Sequence, residues 1–170
     1  MQDSDSVLRI YLPALRSAHI FALGRNTGRL QLDKDSLSAA PQLELLCLCH
    51  VTVTMTPDCF TGLTALATLD LIDCSLTTIP PALTALAGSL TSLMLPFNDG
   101  FQLDPDAAKR VLALGKLREL DLRTKEYVFE PQDGSAWKLY SLQGVVELLE
   151  AFLLQHGHWL AIRLHRDTDS

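Results

Sequence analysis

Apolar residues along this chain fall into short clusters that share one spacing. Leucines occupy the first, fourth and sixth places of a frame at Leu43, Leu46 and Leu48, again at Leu66, Leu69 and Leu71, at Leu90, Leu93 and Leu95, and at Leu117, Leu120 and Leu122. The frame restarts after 23, 24 and 27 residues, a recurrence that marks a repeat architecture. In an extended strand the fourth and sixth positions share one face, and the residues between them share the other. One such unit cannot bury its own leucines. Stacking the units buries them and aligns the strands as a parallel sheet. A degenerate copy reads Trp159, Ile162 and Leu164. Near the N-terminus two registers compete, Leu15-Ala18-Ile20 and Ala18-Phe21-Leu23.

The segments between frames carry their own signals. Asp104-Pro105-Asp106 ahead of 107–114 and Gly115 reads as an N-cap, a proline in the first turn and a glycine stop, which predicts a short helix. Val145, Leu148, Leu149, Phe152 and Leu153 recur at helical spacing and predict the longest helix over 142–156. Between them, 123–138 reads as an irregular insertion, with turn signals at Glu130-Pro131 and Asp133-Gly134-Ser135. Residues 1–14 form a candidate N-terminal cap through Val7, Leu8, Ile10 and Leu12, ahead of a repeat domain over 15–170. At the other end, the charges that follow Leu164 blunt an edge strand, and the array is expected to continue or pair there.

The copy from Leu66 to Leu86 matches LxxLxLxxCxLxxIPxxLxxL throughout, with Cys74, Ile79 and Pro80 in their places, and Asn98 takes the Asn/Cys position of the following copy. On these residues the chain resembles the leucine-rich repeat family. The resemblance implies an α/β horseshoe-shaped solenoid with a curved parallel β-sheet and an irregular or helical convex side. It further implies non-catalytic binding of a protein partner on the concave face. Substrate recognition within a ubiquitin-ligase receptor, or docking regulation of a phosphatase or kinase, are alternatives within the same resemblance. Phrases such as Leu63-Thr-Ala-Leu66 are similar to intracellular arrays of plants, green algae or bacteria. Two copies depart from the pattern, with Val51 and Lys125 at the Asn/Cys position, and looser turns are expected there.

Composition narrows the function further. Leucine supplies 35 of 170 residues, and the net charge of −6 leaves no basic excess to neutralise phosphates. Nucleic acid and anionic membrane surfaces are therefore poor partners. The acidic N-terminus carries no export signal, and no stretch approaches a membrane span, so a cytoplasmic or nuclear location is expected. No phosphate loop and no nucleophile elbow is present, and neither enzymatic activity nor a cofactor is predicted.

Counting from the first leucine of each frame, the third, fifth, seventh and eighth positions point to the open face. They give Leu45, Cys47, Cys49 and His50, then Thr68, Asp70, Ile72 and Asp73. The next two frames give Ser92, Met94, Pro96 and Phe97, then Glu119, Asp121, Arg123 and Thr124. Solvated strand faces are ordinarily polar, so apolar Leu45, Ile72, Met94 and Phe97 beside Asp70, Asp73 and Asp121 predict a protein or peptide site with an acidic rim, suited to a basic partner, and these carboxylates and Glu119 are read as solvated. The cysteines are read as structural thiols, with Cys47 and Cys49 about 7 Å apart along an extended strand. The histidines around Gly157 are read as helix-capping groups.

Overall fold

The computed structural model describes residues 6–7, 12–22, 28–98, 100–123 and 142–163; of 6–7 and 142–146 it describes the backbone. In chain order the strands are β1 (Ser6–Val7), β2 (Ser17–Phe21), β3 (Gly28–Leu32), β4 (Leu45–Cys49), β5 (Val51–Met55), β6 (Thr68–Ile72), β7 (Ser92–Met94), β8 (Glu119–Asp121) and β9 (Ala161–Arg163). A 3-10 helix spans Pro81–Leu86, and two α-helices, α1 (Pro105–Ala113) and α2 (Leu142–His156), complete the set. The fold is α/β. Its main sheet has six parallel strands in the order β2-β4-β6-β7-β8-β9.

The register follows the leucine spacing. Leu46 pairs with Leu69, Leu69 with Leu93, Leu93 with Leu120, and Leu120 with Ile162, so the fourth positions form one row across the sheet. At the N-terminus Ala18 pairs with Leu46 and Ile20 with Leu48, which selects the Leu15-Ala18-Ile20 register. Phe21, inward-facing in the rejected register, is 58% exposed. Leu43, Leu46, Leu66, Leu69, Leu71, Leu90, Leu93, Leu117 and Leu120 are fully buried, each burial being worth about 1.5–3 kcal/mol.

Backbone hydrogen bonds repeat with the same period. The carbonyl of Glu44 accepts from the N–H groups of both Ala67 and Thr68, that of Ala67 from Thr91 and Ser92, and that of Thr91 from Arg118 and Glu119. Beyond the strands, His50, Asp73 and Phe97 all have positive φ, at 58°, 52° and 64°. They occupy the eighth position of three successive frames. Each donates its N–H to the neighbouring frame, at Ile72, Pro96 and Arg123. A left-handed residue here turns the chain away from the sheet, at a steric cost that these bonds help offset.

Behind the first frames lies a second parallel sheet, β1-β3-β5, which the sequence reading misses. Val51 does not begin a loose turn. It opens β5, because Val51-Thr-Val-Thr-Met alternates apolar and polar residues and pairs with β3, burying Val51 and Val53.

Both expected helices are present with nearly the expected bounds. Asp104 caps α1 by accepting the N–H of Ala107 at 2.7 Å. Phe152 of α2 is fully buried. Residues 124–138 of the expected 123–138 insertion, which include Thr124 and Lys125, together with Leu164 and most of the candidate cap at 1–14, lie outside the described residues. Among the described residues, no helix is long and apolar enough to cross a membrane.

Candidate functional site

Strand alternation builds the open face of the main sheet. In β6, Leu69 and Leu71 are buried, while Thr68, Asp70 and Ile72 keep partial exposure. Parallel pairing then sets equivalent residues side by side. Leu45, Thr68, Ser92 and Glu119 form one row; His19, Cys47, Asp70, Met94, Asp121 and Arg163 form the next. Neighbouring strands lie about 4.8 Å apart, so each side chain in a row is in reach of the next.

Nine of the predicted site residues meet on this face: Leu45, Cys47, Thr68, Asp70, Ile72, Met94, Glu119, Asp121 and Arg123. Asp73 and Phe97 lie in the left-handed turns at its margin. Burial differs from expectation at three of these positions. Cys47 is buried, being a short side chain between those of His19 and Asp70. Asp121 is 0% exposed, because Arg123, two residues along the same face, folds over it. Arg123 Nε donates to Asp121 Oδ2 at 2.8 Å, Nη2 lies 2.6 Å from Oδ2, and the Arg123 backbone N–H donates to Oδ1 at 3.0 Å. Asp73 is buried with its Oδ2 3.0 Å from His50 Nδ1, since the turn carries it off the solvated surface. Asp73 and Asp121 are thus neither solvated nor a rim.

The remaining carboxylates divide sharply. Glu119 is paired with Arg163 of β9 at 2.5 Å, and Glu44 with Arg16. Asp70 stands apart. Its Oδ1 is buried and has no hydrogen-bond partner among the described residues. Burial pushes its carboxyl above the usual 3.8; His19 opposes the shift, and Asp121 and Glu119 add to it.

The cysteines are buried thiols. Cys47 Sγ and Cys49 Sγ lie 3.3 Å apart, much closer than the spacing along the strand, because the two side chains lean together. Burial first, then the contact with Cys49, pushes Cys47 up to about 12. Burial also pushes Cys59 and Cys74 to about 12. Among the described residues no group of three or more His, Cys, Asp and Glu is placed to hold a metal ion. Of the histidines beside Gly157, His158 Nδ1 lies 3.1 Å from the carbonyl of His156 at the end of α2, whereas His156 serves the other helix. His156 Nε2 lies 2.6 Å from the carbonyl of Leu112 at the end of α1, and Gln155 Nε2 donates to that same oxygen at 3.1 Å.

Among the face residues that escape the sequence reading are His19, Phe21 and Arg163. The first two were hidden by the unresolved N-terminal register. Arg163 carried a usable signal, since it holds the fifth position of the copy that begins at Trp159.

No protein-family model matches the chain, and no curated protein or solved structure does either.

Proposed function

We propose that the chain is a leucine-rich repeat solenoid that binds a protein or peptide, without catalysis, on the open face of its six-stranded sheet. The repeat register, the parallel strand order and the row of buried leucines support the architecture. Carrying the functional reading is one observation: Thr68, Asp70, Ile72, Ser92 and Met94, contiguous across β6 and β7, all keep exposure on one face, and apolar and acidic groups are mixed there. Such a mixture fits the apolar core and polar rim of a protein interface. The fixed strand spacing presents it as a preorganised surface, which lowers the ordering cost of binding.

Affinity purification from a native extract with the wild-type chain, and with a chain carrying Asp70→Arg and Met94→Glu, tests this reading. A partner retained by the wild type and lost by the variant, with the variant still melting cooperatively as a folded chain, is the expected result. The same proteins from both chains, or none from either, overturns it.

A further inference from the structure

We infer that Asp70 is the seat for one lysine or arginine side chain of an extended peptide segment in the partner. The inference rests on the binding reading above and adds the chemistry that selects the partner. Around the face every other described carboxylate of the rows already faces a cationic or ionisable group: Asp121 has Arg123 at 2.6 Å, and Glu119 has Arg163 at 2.5 Å. At the margin Asp73 has His50 at 3.0 Å. Of such groups Asp70 feels only His19, two strands away and not in hydrogen-bond contact among the described residues, and its Oδ1 is buried without a hydrogen-bond partner. A carboxylate oxygen removed from water and left unpaired is costly, so a donor delivered from outside gains more here than at the paired positions.

The flanks decide which cation fits. Asp70 lies beside Met94 on β7 and Cys47 on β4, with Ile72 two residues along its own strand. A divalent metal needs several oxygen ligands, and Asp70 offers one carboxylate with sulfur and hydrocarbon around it. A lysine or arginine supplies a charged head for the carboxylate and an apolar stem for Met94 and Ile72. The residue keeps partial exposure, so the head reaches the carboxylate from the open side. Burial raises the Asp70 carboxyl, His19 opposes the shift, and Asp121 and Glu119 add smaller repulsions that a bound cation would relieve. The net charge of −6 steers a basic segment in the same sense.

Selection of a random linear peptide library on immobilised wild-type chain, followed by binding of the synthesised winners to wild type, Asp70→Asn and Met94→Glu, tests the inference. Asp70→Asn keeps the shape and removes the charge. The expected winners share a lysine or arginine, bind Asp70→Asn about tenfold more weakly or worse, and lose a similar factor when that basic residue is replaced by norleucine. Winners that lack a basic residue, or that bind Asp70→Asn as well as wild type while Met94→Glu abolishes binding, overturn the seat and leave the face reading standing. Winners indifferent to Met94→Glu, or no winners at all, overturn both.

Discussion

Asn98 Oδ1 accepts the backbone N–H of Cys74 at 2.9 Å, joining two successive frames through a single buried side chain. The same oxygen accepts the N–H of Leu76 at 3.0 Å, while Nδ2 donates to the carbonyls of Leu71 at 2.8 Å and Leu95 at 2.9 Å. Cys74 continues the link in the other direction, its Sγ donating to the carbonyl of Leu48 at 3.2 Å. Strand ends in three frames are thus tied by two side chains, which satisfy backbone groups buried away from water.

Replacing Asn98 by alanine therefore leaves four buried backbone groups without their partner. A loss of roughly 3 kcal/mol is expected, at the upper end for a single substitution. Urea denaturation read by circular dichroism checks it. A change within the scatter typical of surface substitutions would show that Asn98 does not join the frames.

The ion pair on β8 predicts a cycle. Arg123→Ala removes the charge that pairs with the Asp121 carboxylate and part of its cover, and is expected to cost about 1–2 kcal/mol, less than a charge stranded in a closed interior. Adding Asp121→Asn to that variant recovers a large part of the loss, because the unpaired charge is gone. A double variant no more stable than Arg123→Ala contradicts the assignment.

Asp70 gives a pH dependence of defined sign. Its carboxyl is raised in the folded chain above the usual 3.8, so the folded state holds that proton more tightly than the unfolded one. The stability this contributes is present below the unfolded value and lost as pH rises through the raised folded value. Thermal melts of wild type and Asp70→Asn across the acid range should show wild type losing ground as pH climbs, with Asp70→Asn the more stable of the two at neutral pH. Parallel pH profiles would contradict a buried, unpartnered carboxylate.

Cys59 and Cys74, both pushed to about 12 by burial, should resist maleimide at mildly alkaline pH in the folded chain and react once it is denatured. Peptide mapping by mass spectrometry after a short pulse reads this site by site. Rapid native labelling of Cys74 would mean that its contact with Leu48 is open.

The parts legible in the sequence are those governed by local rules. Leucine spacing set the strand rows because only one register buries every fourth and sixth residue. Asp104 and Pro105 announced α1 through capping chemistry that needs no tertiary partner, and Asp104→Ala should cost about 1 kcal/mol. The rest depends on contacts between segments distant in sequence. Whether a carboxylate on the open face is solvated turned on where Arg123, Arg163 and His50 fold, which periodicity does not encode. The second sheet was visible as alternation in Val51–Met55, but its partner β3 carries only a short version of that pattern. Cys47 and Cys49 were spaced correctly along the backbone and misjudged at the sulfur atoms, where side-chain lean closes the gap.

The open face as the binding surface is tested most directly by hydroxyl-radical footprinting of the chain with and without a captured partner or selected peptide. Met94 on β7 reports the face, and Trp159, 65% exposed just ahead of β9, reports the end of the sheet. The account predicts that oxidation of Met94 falls on binding while that of Trp159 is unchanged. Protection of Trp159, with Met94 oxidised as in the free chain, would place the partner at the end of the sheet and contradict it.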